Sequence, residues 1–250
     1  MTVLWTTAFL DRPAATFDAA ADFWMAVTDT TMSPVRGEHG QFATLAPADG
    51  DPYLRVQRVA DGPGGHHLDL HGDDVGVTAD RAVELGAKRV EDLEDLQILR
   101  SPAGLVFCVV RHRGESTRPA PVATGADRHR TIVDQLCIDI PPDHFDAECR
   151  FWSSLTQWDL RTSKIRPEFA VLVRPGGIPL RLLLQRLESA GDEIGCHLDI
   201  ACDDREASAV DHESLGARIV DRYDRWILME DPSGLPYCLT GRNPDTGTVD

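Results

Sequence analysis

Apolar and polar positions change period several times along the first 110 residues, and each change marks an element. Residues 4–10 form a mainly apolar run of strand length. Phe17, Ala20, Trp24 and Val27 then recur at spacings of three and four, which puts them on one face of a helix. Extended runs follow at residues 42–45 and 53–59. At residues 67–71 the period falls to two: His67, Asp69 and His71 share one face of a strand, and Leu68 and Leu70 the other. Asp73 and Asp74 offer an N-cap for a second helix, and Gly86 the C′ glycine that ends it. Strands near residues 89–91, 97–99 and 105–110 complete the pattern. The order is strand, helix, then two or three strands, read twice.

The whole pattern then returns. Phe17-Asp18-Ala19-Ala20-Ala21-Asp22-Phe23-Trp24 reappears 128 positions later as Phe145-Asp146-Ala147-Glu148-Cys149-Arg150-Phe151-Trp152. At an offset of 130, His67-Leu68-Asp69-Leu70 meets His197-Leu198-Asp199-Ile200, and Leu85-Gly86-Ala87 meets Leu215-Gly216-Ala217. Ser101-Pro102-Ala103-Gly104 likewise meets Asp231-Pro232-Ser233-Gly234. A nearly constant offset in one order is the signature of a tandem duplication. It predicts a first domain over residues 1–113, a proline-containing linker over 114–130, a second domain over 131–241 and a tail over 242–250.

Composition narrows the partners. Acidic residues outnumber basic ones 41 to 25, for a formal charge of −16, so phosphate backbones and anionic lipid surfaces are repelled. No nucleic acid and no membrane partner is expected, and no apolar run reaches the length of a bilayer span. The six cysteines form no CxxC pair and lie mostly in apolar runs, as reduced thiols of a cytoplasmic protein do. Nucleotide-binding glycine loops, HExxH and GxSxG are absent from the chain.

The Phe-Trp pair closing the first helix, the His-Leu-Asp strand running into Asp-Asp, the Leu-Gly-Ala helix end and the Pro-x-Gly turn together resemble the vicinal oxygen chelate superfamily of glyoxalase-like and bleomycin-resistance-like proteins. The resemblance implies an α+β fold of two tandem domains. Each would consist of paired βαβββ modules whose curled mixed sheets surround a cavity, with the ligand site on the concave faces. It also implies a divalent metal held by a histidine or similar residue on the first strand of each module and a carboxylate on the last. His67 and His197 match the second-module histidine position. Cys108 and Cys238 stand at the following glutamate position, and Gln57 and Gln185 at the glutamate position of the first module. The opening strands carry no histidine there; residues 132–140 offer Asp134, Gln135, Cys137 and Asp139.

From this the expected ligand-binding residues are Gln57, His67, Asp69 and Cys108 in the first copy and Gln185, His197, Asp199 and Cys238 in the second. One histidine, one cysteine and a neutral glutamine fall short of a metal triad, so no cofactor and no stoichiometric metal are expected, a divalent ion being the lesser reading. The His-Asp pairs serve either as a general base with its orienting carboxylate or as a hydrogen-bonded stiffener of a partly buried strand. The cysteines serve either as soft ligands or as small core thiols, and the glutamines as readers of ligand carbonyls or as rim groups. Trp24 and Trp152 are expected to pack each first helix onto its sheet. The leading functional expectation is capture of a small organic molecule by a chain that is free to form a homodimer. The alternative is a lyase, isomerase or dioxygenase using His67 or His197 as base or metal ligand, and a third reading makes one copy a packing scaffold.

Overall fold

A computed structural model describes residues 2–125, 128–191 and 193–248 of the 250. Residues 126–127 of the expected linker, 192 of the expected second domain, 249–250 of the expected tail and Met1 of the expected first domain lie outside the described residues. The first copy runs β1 (Trp5–Pro13), α1 (Phe17–Thr28), β2 (Thr30–Met32), β3 (Phe42–Pro47), β4 (Leu54–Val59), β5 (Gly65–Gly72), α2 (Val75–Glu84), β6 (Lys88–Leu93), β7 (Leu96–Arg100) and β8 (Val106–Arg111). After the short β9 (Val122–Thr124), the second copy runs β10 (His129–Ile140), α3 (Phe145–Thr156), β11 (Asp159–Thr162), β12 (Phe169–Val173), β13 (Arg181–Arg186), β14 (Gly195–Cys202), α4 (Arg205–Ser214), β15 (Arg218–Arg222), β16 (Trp226–Glu230) and β17 (Pro236–Thr240). The expected order of strand, helix and two or three strands therefore appears four times, each time with three strands after the helix, as the resemblance implies.

Two open mixed sheets result, ordered β2-β3-β4-β1-β5-β8-β7-β6 and β11-β12-β13-β10-β14-β17-β16-β15. Hairpins supply the antiparallel pairs; β5 with β8, and β14 with β17, are parallel, because a helix and a hairpin separate them in sequence. That parallel register sets Asp69 opposite Cys108 and Asp199 opposite Cys238. Local chemistry fixes the helix ends. The Asp74 and Asp204 side chains accept from Val77 N and Ala207 N, both at 2.9 Å, and Gly86 and Gly216 take the positive φ, 107° and 98°, that stops each helix.

The compact units do not coincide with the copies. Unit 1 comprises residues 1–8, 66–116 and 136–196; unit 2 comprises residues 9–65, 117–135 and 197–250. Each unit thus joins the second module of one copy to the first module of the other. In unit 1, α3 brings Trp152 edge-on to Phe107 of β8 at 5.0 Å. Its neighbour Glu148 is buried and accepts from Trp152 Nε1 at 2.7 Å and Ala103 N at 2.8 Å; burial raises its pKa against those hydrogen bonds. In unit 2, α1 sets Trp24 edge-on to Tyr237 of β17 at 5.4 Å. Asp231 there accepts from Trp24 Nε1 at 2.9 Å and from the buried Arg12 Nε at 2.8 Å. The two tryptophans are buried helix residues, as their spacing indicates, but each meets an aromatic ring from the other copy.

Candidate functional site

Strand alternation sends Leu198 and Ile200 of β14 to one face and His197 and Asp199 to the other. Parallel pairing with β17 then lays Cys238 beside Asp199. All three side chains are buried, and one ligand atom from each lies within 4.8 Å of the others. His197 Nε2 stands 3.4 Å from Asp199 Oδ1 and 3.6 Å from Cys238 Sγ.

Two further residues of unit 2 complete the cluster. Gln135, on β10, donates Nε2 to Asp199 Oδ2 in a short hydrogen bond. Arg242, just past β17, makes a tight ion pair with Asp134 and approaches Asp199 Oδ2 at 3.5 Å. Burial alone would raise the Asp199 pKa, but His197, Arg242 and Gln135 outweigh it and hold the carboxyl below the ordinary range. Burial likewise opposes the charge on Arg242, and Asp134 and Asp199 override it, keeping the guanidinium ionised. The occupied oxygen of Asp199 is Oδ2. Its Oδ1 is buried and makes no hydrogen bond.

Unit 1 repeats the core of this arrangement without its surround. His67, Asp69 and Cys108 again bring three ligand atoms within 4.8 Å, with His67 Nε2 at 3.8 Å from Asp69 Oδ1. His112 occupies the position equivalent to Arg242, and with His71 it approaches Glu115, at 3.5 and 3.7 Å. Desolvation would raise the Glu115 pKa; backbone hydrogen bonds and the two histidines lower it below the usual range.

The expected residues therefore sort unevenly. His197, Asp199 and Cys238 come together, as do His67, Asp69 and Cys108. Gln57 lies half-buried on β4 opposite Phe42, in unit 2. Gln185, in unit 1, accepts from Cys137 Sγ at 3.4 Å. The sequence reading considered Asp134 and Gln135 only as residues of an opening strand lacking histidine, and it missed Arg242. A buried-strand position at Asp134 was the available signal, because a buried carboxylate needs a cation, but nothing in the sequence names which one.

The expectation of no cofactor and no metal needs correction. It counted donors only at the positions where the family places them and left out Asp199, two residues past the histidine. The parallel register of β14 and β17 turns that carboxylate onto Cys238, so the set is one nitrogen, one oxygen and one sulfur. Such a set suits a divalent ion and leaves a coordination position open.

A glyoxalase-like domain model matches residues 7–110 and again residues 135–240. The chain belongs to the glyoxalase-like domain family. Its two matches reproduce the duplication, and solved structures share the fold of this glyoxalase-like chain at low identity. A variant of 4-hydroxymandelate synthase from Streptomyces coelicolor is 16% identical, with a TM-score of 0.63 over 99% of this chain and 94% of that one. The Mn(II)-bound glyoxalase from Novosphingobium aromaticivorans is 15% identical, with a TM-score of 0.63 over 100% and 86%. A 2,2',3-trihydroxybiphenyl 1,2-dioxygenase from Sphingomonas wittichii strain RW1 is 13% identical, with a TM-score of 0.61 over 96% and 90%. A metal-bound protein among these structures and the two His-Asp-Cys donor sets together overturn the metal-free expectation. No curated protein sequence matches the chain. Among the described residues no helix is long and apolar enough to cross a membrane.

Proposed function

We propose that this glyoxalase-like chain is a metal-dependent protein acting on a small organic molecule, with His197, Asp199 and Cys238 as the ligands of a divalent ion. The observation that carries this reading is the buried Asp199 Oδ1, which makes no hydrogen bond and stands 3.4 Å from His197 Nε2, in a carboxylate with one oxygen within 4.8 Å of a histidine nitrogen and a cysteine sulfur. Charge supports it as well. Asp134 neutralises Arg242, leaving Asp199 and the thiolate form of Cys238 to balance a dication in a site that tolerates no surplus charge. When bound, the ion supplies Lewis-acid polarisation of a ligand oxygen. The chain's own groups do the rest: Gln135 holds the Asp199 carboxylate through Oδ2 and leaves Oδ1 to face His197, and His197, then Arg242 and Gln135, hold that carboxyl below its ordinary range against burial. The Mn(II)-bound glyoxalase of the same fold makes a metal reading the natural one to test first.

The test is cobalt(II) titration of the purified chain, read by the thiolate-to-cobalt charge-transfer band and by elemental analysis. Binding with that band, abolished in Cys238→Ser and retained in Cys108→Ser, is the expected result. A chain that binds no cobalt, or one whose band survives Cys238→Ser, refutes the assignment.

A further inference from the structure

Unit 2 contains a cavity of about 250 Å³ that shares no residue with the His-Asp-Cys cluster. Its apolar walls are Val27 at the end of α1, Leu45 of β3, Leu54 of β4, Val122 of β9 and Ile132 and Val133 of β10. All of these but the half-buried Val122 are buried, while the exposed Asp29, Ala48, Asp49 and Ala120 of the lining open the cavity to solvent.

The wall contributed by the segment between the copies is pinned. Asp51 N donates to Thr117 O at 2.7 Å, and Thr117 N donates back to Asp51 Oδ2 at 2.8 Å. A Cβ on Gly50 would meet the Pro119 backbone at 2.9 Å, so the two segments touch directly. Tyr53, also in the lining, donates its hydroxyl to Val133 O at 2.8 Å and fixes the opposite side. The cavity is therefore preformed.

Its polar groups are few and one-sided. Thr131 is buried in the wall, and its hydroxyl has no hydrogen-bond partner. Asp29 and Asp49 are exposed members of the lining, and no lysine, arginine or histidine lines it. Apolar walls exclude strongly hydrated ligands. The carboxylates repel anions and attract cations, and the volume, below the usual 300 to 1,000 Å³ of drug-sized sites, limits the occupant to roughly one ring. From these facts we infer a second ligand site for a small primary amine with a single apolar ring or a short branched chain. It would be distinct from the proposed metal centre and independent of it.

Benzylamine is the probe, with benzyl alcohol as its neutral and benzoate as its anionic counterpart of similar shape. Binding to the full-length chain is followed by ligand-observed NMR or calorimetry. The order expected is benzylamine, then benzyl alcohol, with benzoate weaker than benzylamine by about tenfold or more, because the two lining carboxylates attract an ammonium and repel a carboxylate. Ala120→Trp, at an exposed lining position, closes the cavity with little strain on the core and is expected to lower benzylamine affinity by at least about tenfold. Thr131→Val keeps the shape, removes the hydroxyl and is expected to cost about two- to tenfold. Retained far-ultraviolet circular dichroism and an unchanged cobalt titration show that each variant still folds. No benzylamine binding, equal binding of benzoate, or unchanged affinity in the folded Ala120→Trp variant overturns the inference.

Discussion

Arg242 is the residue on which the site's electrostatics turn. It is buried between Asp134 and Asp199, and removing it leaves two carboxylates inside the unit without a cation. Arg242→Met is therefore expected to cost about 3–5 kcal/mol of stability, the usual penalty for stranding half of a buried ion pair. The pH dependence has a definite sign. A carboxyl held below its unfolded value of about 3.9 adds stability above that pH, and the gain is lost as pH falls through the lower folded value. Without Arg242 the folded value of Asp199 climbs, so acid unfolding should begin at higher pH. Urea unfolding at a series of pH values measures both effects. A variant with unchanged stability and an unchanged acid limb would show that the pair contributes nothing net.

At the scale of elements, hydrophobic period carried most of the information. The α1 positions Phe17, Ala20, Trp24 and Val27 are all buried, and Leu68 and Leu70 of β5 are buried opposite the polar face. The three-residue β2 was not legible, because Thr30, Thr31 and Met32 are half-buried or exposed and follow no period; pairing with β3 makes it a strand. Capping shows the same division. Sequence offered both Asp73 and Asp74 as N-caps, and the backbone selects Asp74, whose side chain alone receives the Val77 N–H. Asp74→Ala is thus expected to lower stability by about 1 kcal/mol, whereas Asp73→Ala, at an exposed position, should stay within about 0.5 kcal/mol. Thermal denaturation of the two variants side by side separates them, and equal shifts would contradict the cap assignment.

For the whole molecule, the interleaving of compact units predicts how the halves behave apart. Residues 1–113 made alone would keep Arg12 but lose Asp231, and would keep Phe23 and Trp24 but lose Tyr237. An unpaired buried arginine costs about 3–5 kcal/mol, a large share of the roughly 5–15 kcal/mol that holds a domain together. Neither residues 1–113 nor residues 131–250 should unfold cooperatively alone, and mixing them should restore the transition. Circular dichroism melts of each fragment and of the mixture decide this; a cooperative melt of residues 1–113 by itself would count against it.

The duplication, the repeated order of strand, helix and two or three strands, and the polar strand face bearing His197 and Asp199 followed from sequence alone, because period and repeat are properties of neighbouring positions along the chain. Three matters needed the tertiary structure. The register of β14 on β17 decided that Asp199 faces Cys238 and so completes a three-donor set. The approach of Arg242 to Asp134, 108 positions away, decided the charge of that set. The packing of α1 with Tyr237 and Asp231 decided that each compact unit draws on both copies. Each depends on contacts between residues far apart in the chain, and the two copies offer near-identical partners for those contacts. A one-dimensional pattern specifies which face of an element is apolar. It does not specify which of two similar apolar faces it will meet.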